Sequence, residues 1–193
     1  VPECTIDEYQ RTFGDTLDAQ LSFMSGMPDL DIRVNTLKSN LDKVELALKK
    51  FHPIRTVFSP FGMRVKSGGL GYKFPNLEKT LSYAKGQIEI QNEGSQISAI
   101  LSGAGPGMQV LDYCAGHGGK AAILSMLMKN SGQLYLSDID QSRLINVPPR
   151  MKRLGVKNYQ IINYQDSKNK FAQFFDIVFS DAPCSGSGTW RRK

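Results

Sequence analysis

The sequence predicts an α/β fold in which a doubly wound parallel sheet follows a small α+β module. From about residue 86 onward, short apolar segments alternate with helical segments, a pattern typical of parallel strands joined by helices. Before residue 80 the β-like segments are short and lie between Ser-Pro and Gly-Gly turns. A glycine-rich turn then joins the apolar segment VLDYCAG to a helix, a connection that parallel α/β sheets commonly use.

The chain before residue 80 is predicted to hold a helical segment and a small mixed module. Apolar residues recur three and four positions apart from Ile6 to Met24, which predicts a helical segment over residues 1–28 with a break at Gly14. The module over residues 29–80 follows. It is predicted to contain a strand through Ile32 and Val34, a helix capped by Ser39, and strands at 56–58, 63–65 and 70–74.

Residues 81–193 form the third predicted domain, which carries the parallel sheet. Its strands are predicted from the segments GQIEIQ, GMQVLD, GQLYLSD, NYQII and FDIVFS. Helices are predicted between them at 92–101, 121–129 and 141–154. Val147-Pro148-Pro149 interrupts the last of these helices, because proline removes a backbone hydrogen bond and clashes one turn back.

Composition argues against several protein classes. Three widely separated cysteines without a CxxC pair argue against a disulfide scaffold and a zinc site, and they favour a reducing, cytoplasmic location. No apolar run approaches the roughly 20 residues of a membrane span, so no membrane association is expected. The net charge of +6 attracts polyanions modestly and by itself only suggests nucleic acid as a partner.

The glycine-rich turn indicates a site for an adenosine-type cofactor. Gly116, Gly118 and Ala121 fit the pattern G-x-G-x-x-G/A, in which glycines let a ligand approach the backbone at a helix start. Asp138 follows about 20 residues later, at the end of the next strand, where a carboxylate accepts hydrogen bonds from ribose. The pattern does not separate NAD from S-adenosylmethionine (SAM). It is not a phosphate-binding P-loop, because Cys114 and Ala121 stand where that motif needs Gly and Ser or Thr.

Other residues of this turn have structural interpretations. Cys114 is interpreted as a small residue at a crowded strand end, and His117 as a loop residue rather than a catalytic base. Lys120 is expected at the helix start, in contact with a cofactor carboxylate or the neighbouring loop. Asp112 is expected to accept hydrogen bonds that brace the loop.

The glycine turn does not indicate which reaction the protein catalyses, and the segment Asp181-Ala182-Pro183-Cys184 is more informative about that reaction. Its structural interpretation is a strand-ending acid, a turn proline and a buried thiol. Its functional interpretation is cytosine chemistry, since C5 of cytosine becomes nucleophilic when a thiolate adds to C6. After methylation the C5 proton leaves and the thiolate is eliminated, while a nearby carboxylic acid can bind the base edge or the cofactor.

Three co-ordered segments, GQIEIQNEGSQ, VLDYCAGHGGK and DAPCSGSGTWRR, resemble the Sun/Fmu, NOL1/NOP2 family of RNA (cytosine-5) methyltransferases. DIRVNTLKS also resembles the small N-terminal module of the bacterial small-subunit ribosomal RNA enzymes of that family. The resemblance implies a Rossmann-like class I methyltransferase sheet with SAM as cofactor. The implied cofactor-binding residues are Cys114, Ala115, Gly116, His117, Gly118, Gly119, Lys120, Asp138, Arg143, Asp166 and Asp181.

The resemblance also assigns catalytic roles and raises an alternative. Asp181 would lie near the methyl group and the base, and Cys184 would help to release the product. The covalent nucleophile of the family sits in a later Thr-Cys motif, and these 193 residues contain no Thr-Cys pair. We therefore expect an incomplete sheet and a chain that is inactive alone. The alternatives are a non-catalytic SAM- or RNA-binding fragment of a split or degenerate gene, and an NAD oxidoreductase.

RNA, and in particular 16S ribosomal RNA, is the partner that the resemblance implies. Trp190, Arg191 and Arg192 follow the Pro-Cys motif, and an aromatic ring beside basic side chains suits a stacked base and its phosphates. The basic residues at 49–55 are interpreted as a solvated face. The segment FDIVFSD is expected to leave an open apolar sheet edge, which favours self-association.

Overall fold

The computed structural model describes residues 5–68, 73–169, 171, 173–184 and 186. The chain divides into two compact units. The larger unit comprises Leu30–Val65 and Pro75–Pro183. The smaller unit comprises the described residues of Val1–Asp29, Lys66–Phe74 and Cys184–Lys193. The three-part division at residues 28 and 80 stays a prediction, and the larger unit combines most of two of its parts.

The smaller unit contains the predicted helical segment. Helix α1 (Ile6–Phe13) and helix α2 (Leu17–Ser25) are separated by a 3₁₀ turn over Gly14–Thr16. Gly14 has a φ of +50°, a backbone conformation that residues with a side chain rarely adopt. Glycine adopts it readily, which explains the predicted break. Asp29 holds the end of this segment, because it accepts the Ser67 amide at 2.8 Å and pairs with Lys66 at 3.1 Å.

The first sheet of the larger unit is antiparallel, with the strand order β2-β3-β1-β4. Its strands are β1 (Leu30–Val34), β2 (Ile54–Arg55), β3 (Gly62–Val65) and β4 (Ile88–Ile90). Helix α3 (Leu41–Ala47) follows β1, and the short helix α4 (Leu81–Ala84) precedes β4. The sequence prediction placed the β4 segment with the parallel sheet, but Ile32 of β1 pairs with Ile90 of β4 in antiparallel register.

Two local predictions in this sheet are wrong. Asn40 rather than Ser39 caps α3, since its side chain accepts the Lys43 amide at 2.9 Å. Residues 56–58 form no strand but contain a bend, across which the Thr56 hydroxyl donates to the Ser59 carbonyl at 3.2 Å. The predicted strand at 63–65 is confirmed within β3. Of the strand predicted at 70–74, positions 70–72 lie outside the described residues, and 73–74 form no strand.

The second sheet is parallel, as predicted, with the order β7-β6-β5-β8. Its strands are β5 (Gln109–Asp112), β6 (Gln133–Leu136), β7 (Tyr159–Ile161) and β8 (Ile177–Phe179). The helices are α5 (Glu93–Ile100), α6 (Gly119–Leu127), α7 (Val147–Leu154) and α8 (Tyr164–Asn169). Residues 141–146 form a 3₁₀ segment before α7, whose first turn contains the two prolines.

Helix α6 lies in the middle of the core. Its residues from Ala121 to Met126 are all buried, which is the pattern of a helix that is covered on every side. Val110 and Leu134 of the parallel strands join the same cluster, and so does Met151 of α7. Burying each such side chain stabilises the fold by about 1.5–3 kcal/mol. Within the described ranges, no helix has the length and hydropathy to cross a membrane.

Candidate active site

The candidate site lies at the carboxyl ends of β5, β6 and β8. The chain runs from β5 outward to β6 and β7 and then returns to pair β8 on the other side of β5. Strand order therefore reverses between β5 and β8. Ligands of open α/β sheets bind in the crevice that such a reversal creates at the carboxyl ends of the strands.

The glycine loop between β5 and α6 is held by backbone hydrogen bonds. The Ala115 amide donates to the Ser137 carbonyl at 2.9 Å, and the Gly118 amide donates to the Ala115 carbonyl at 2.8 Å. Gly116 and Gly118 have φ values of +53° and +78°. The positive φ of Gly118 favours glycine there, and a Cβ at this position would also lie 2.9 Å from the Met151 Cε atom, the mobile end of that side chain.

Asp138, predicted to accept ribose hydroxyls, is a brace of this loop. One carboxylate oxygen accepts the Gly116 amide at 2.8 Å and lies 3.6 Å from a guanidinium nitrogen of Arg143. The other oxygen accepts the Asp140 amide at 2.9 Å. Asp138 is 2% exposed. Each carboxylate oxygen has two lone pairs, so the bracing bonds leave capacity for a further donor.

Asp112, which is predicted to brace the loop, lies close to one loop amide, that of Cys114, but makes no hydrogen bond of good geometry with it. It is 1% exposed, and neither side-chain oxygen has a hydrogen-bond partner among the described residues. Burial raises the pKa of Asp112 to about 7. The Lys120 ammonium and the Cys114 amide oppose this rise, while the carboxylates of Asp181 and Asp138 add to it. Asp112 is therefore a buried acid at the base of the site, with a pKa raised to about 7, so that it loses its proton around neutral pH.

An ion pair joins the two sides of the crevice. The Lys120 ammonium, at the beginning of α6, donates a hydrogen bond to the Asp181 carboxylate that follows β8. The Lys120 side chain is 20% exposed and that of Asp181 is 54% exposed, so the carboxylate is the member that solvent or a ligand reaches. The predicted contact of Lys120 with the neighbouring loop is confirmed.

Single contacts are described for two further loop residues, His117 and Cys114. His117 is exposed, and its Nδ1 atom lies 3.1 Å from the Arg143 carbonyl. The Cys114 sulfur lies 3.8 Å from the Ser180 hydroxyl, which agrees with its interpretation as a small residue at a strand end. Asp166 lies in α8, just after β7, and hence at the same edge of the sheet. Cys184 is an exposed free cysteine, not the buried thiol of the structural interpretation.

Some predicted site residues lie outside the described residues, and two residues that contact the glycine loop were not predicted. Trp190, Arg191 and Arg192 lie outside the described residues, so their RNA contact stays a prediction. Across the described ranges, no three His, Cys, Asp or Glu side chains are grouped so that they could hold a metal ion. The sequence analysis missed Gln91, which donates to the Gly119 carbonyl at 3.2 Å. It also missed Arg150, which donates to the His117 carbonyl at 2.9 Å.

The fold and the site define a class of protein, the class I methyltransferases, whose parallel sheet carries a glycine loop after its first strand. Residues 87–193 match the family described as 16S rRNA methyltransferase RsmB/F, and the chain belongs to that family. This finding confirms the family resemblance and the fold class predicted from the sequence.

Individual relatives agree with this assignment. The chain is 27% identical to a probable ribosomal RNA small subunit methyltransferase B of Synechocystis, over 99% of this chain and 43% of that protein. It is 32% identical to a mouse 28S rRNA (cytosine-C(5))-methyltransferase, over 82% of this chain and 20% of that protein. The fold is similar to the crystal structure of a methyltransferase homologue from Pyrococcus horikoshii, with a TM-score of 0.83 and 28% sequence identity. The match covers 100% of this chain and 63% of that chain. The chain thus spans less than half of these curated relatives.

The unpaired Asp112 generates a prediction for pH-dependent stability. The native state holds the Asp112 proton up to a pH of about 7, whereas the unfolded chain loses it near pH 3.8. Its contribution to the free energy of unfolding therefore falls as the pH rises between these values. Asp112→Asn, which cannot ionise, is expected to be more stable than the wild type at pH 8 by up to about 4 kcal/mol.

Urea unfolding at pH 8 and at pH 4.5 measures this difference, which is expected to shrink at the lower pH. Asp18→Asn is the matched control, because Asp18 is exposed on α2. Its effect is expected to stay within about 0.5 kcal/mol at both pH values. A variant Asp112→Asn that is less stable than the wild type at pH 8 would show that the carboxylate has a favourable partner.

Proposed function

We propose that this chain binds SAM at the glycine loop and belongs to a protein that methylates C5 of cytosine in ribosomal RNA, with 16S rRNA as the substrate. The observation that carries the proposal is the crevice at the β5–β8 reversal, with the glycine loop on one side and the Lys120–Asp181 pair across it. The family match supports the same reaction.

The residues present suit the chemical groups of SAM. Gly118 is the N-cap of α6 and provides no side-chain cap, and the first amides of a helix have no intrahelical acceptor. These amides and the helix dipole favour the carboxylate of the methionine portion. Asp138 keeps lone pairs for the ribose hydroxyls, and Asp166 lies at the edge of the sheet where the adenine is proposed to bind. When bound, SAM supplies a methyl group on an electrophilic sulfonium.

The chain's own residues have distinct proposed roles in the reaction. Lys120 holds the Asp181 carboxylate in the crevice, so that this acid can bind the base edge near the methyl group. Loop residues Cys114 to Lys120 and Arg143 form the wall of the cofactor site. Cys184, which is exposed, is proposed to assist release of the methylated product. Asp112 adds little negative charge beneath them while it holds its proton.

Calorimetric titration with SAM, with NAD as the control ligand, tests the proposal. We expect one SAM to bind per chain and NAD not to bind, because the loop and Asp138 suit adenosine while Lys120 and Asp181 suit the methionine end. Binding of NAD without SAM would support the oxidoreductase alternative. Failure of both ligands to bind a folded chain would contradict the cofactor assignment.

A second experiment separates the enzyme from the non-catalytic alternative. These 193 residues contain no Thr-Cys pair, and we propose that by themselves they form no covalent RNA adduct. With 16S rRNA fragments that contain 5-fluorocytidine, we expect salt-sensitive retention and no adduct on a denaturing gel. A covalent adduct would show that one of the three cysteines of the chain acts as the nucleophile. Equal retention of an unrelated RNA would contradict 16S rRNA as the substrate.

Two further expectations stay predictions. Among the described strands, β8 pairs only with β5, and Val178 is 59% exposed on it, which supports self-association between two copies of the chain. Val178→Lys is expected to lower the sedimentation coefficient of concentrated protein, whereas Leu101→Lys, on the exposed end of α5, is not. A wild type that remains monomeric would contradict this.

Cytoplasmic location is likewise a prediction, which cell fractionation tests.

A further inference from the structure

Gln91, the residue after β4, connects the antiparallel sheet to the glycine loop. Its side-chain oxygen accepts the Arg33 Nε–H at 2.7 Å, and its side-chain nitrogen donates to the Gly119 carbonyl at 3.2 Å. This orientation is the one that the chemistry allows, because a guanidinium only donates and a carbonyl only accepts. The Gln96 side chain donates to the Gln91 carbonyl at 2.9 Å and so holds its backbone as well.

A second connection runs from β4 to the same loop. Glu89 is 2% exposed, and both its oxygens accept from the Arg150 guanidinium at 3.3 Å. The same guanidinium donates to the His117 carbonyl at 2.9 Å. Arg153 approaches Glu89 at 2.6 Å and is held on its other side by the Tyr83 carbonyl at 3.0 Å. A buried carboxylate with two guanidinium partners gives Arg150 a fixed position.

The two carbonyls engaged in this way fix the shape of the loop and the direction of an amide in the first turn of α6. A peptide unit is planar, so fixing the carbonyl of one residue also fixes the N–H of the next residue on the opposite side of the plane. Arg150 thus holds the peptide of Gly118, whose amide closes the loop on the Ala115 carbonyl at 2.8 Å, and Gln91 orients the Lys120 amide. Lys120 lies in the first turn of α6, where amides have no intrahelical acceptor, and its side chain contacts Asp181.

We infer that Gln91 and Arg150 are positioning residues for SAM: the edge strand of the antiparallel sheet sets the orientation of the loop amides and thereby the affinity for the cofactor. The inference rests on the proposed function, since it takes SAM as the ligand of the loop. It gives the small sheet a role in cofactor binding although that sheet does not itself carry the loop.

Gln91→Glu separates positioning from packing. Glutamate keeps the size of the side chain and an acceptor for Arg33, but it cannot donate to the Gly119 carbonyl. We expect the SAM dissociation constant to rise about fivefold or more, which corresponds to the loss of one hydrogen bond. The melting temperature and the SAM dissociation constant are measured on the same preparation of each variant.

Lys38→Met is the matched control. The Lys38 ammonium joins the same two parts of the chain, because it donates to the carbonyls of Lys85 and Arg153 at 3.1 and 2.6 Å, and neither bond involves the glycine loop. Its loss is expected to lower the melting temperature while the SAM dissociation constant stays within about twofold of the wild type. Arg150→Lys is a second test variant, since lysine can pair with Glu89 but cannot also reach the His117 carbonyl as a fork.

The outcomes are distinguishable. Weaker SAM binding in Gln91→Glu and Arg150→Lys, with Lys38→Met unchanged, supports positioning. Unchanged affinity in both test variants contradicts it, and so does an equal loss in Lys38→Met, which would reflect stability alone. Loss of the fold in both test variants also contradicts it, since these residues would then be structural. A wild type that does not bind SAM contradicts the proposed function instead.

Discussion

The buried carboxylate of Glu89 is the interaction on which the larger unit depends. It lies on the edge strand of the antiparallel sheet, while Arg150 and Arg153, its two ion-pair partners, belong to a helix of the parallel sheet. Arg33 is fully buried nearby, and its burial lowers the pKa of its guanidinium to about 10, an effect that Glu89 opposes. Removing the carboxylate would leave these cations without their common partner, which typically costs about 3–5 kcal/mol.

This polar cluster explains how a small sheet and a methyltransferase sheet form one unit. The parallel sheet has an apolar core of its own around α6, and the antiparallel sheet adds directional contacts to it. Asn35, 1% exposed, donates to the carbonyls of Gly86 and Leu154, so that both parts of the chain satisfy one buried amide. Such contacts are specific in geometry, because an unsatisfied buried polar group is costly.

The features that could be predicted are those that depend on residues close together in the sequence. The strand, glycine turn and helix around Gly116 follow from local patterns, and the structure contains them in the predicted order. The role of each acid could not be predicted in the same way. Asp112 ends β5 and Asp138 follows β6, and only the folded chain shows that Asp138 accepts the Gly116 amide while Asp112 makes no hydrogen bond of good geometry.

Strand pairing was the other limit. The segment GQIEIQ is recognisable as a strand from its own residues, but its partner β1 lies more than 50 positions earlier and no local pattern indicates that pairing. The contribution of Gln91 and Arg150 to the loop depends on this pairing, so it was not predictable either. Errors of one residue have a different cause. The cap of α3 is Asn40 instead of the predicted Ser39, because neighbouring serine and asparagine residues have similar capping ability.

Native-state hydrogen exchange tests most directly whether the cluster around Glu89 makes the two sheets one cooperative structure. The amides of β1 and of β5 are followed at increasing denaturant concentrations, together with the Ala115 amide of the glycine loop. If the cluster does so, all of these amides are expected to converge on one opening free energy with one denaturant dependence. Exchange of the β1 amides at a clearly lower free energy, with β5 and the loop still protected, would contradict it.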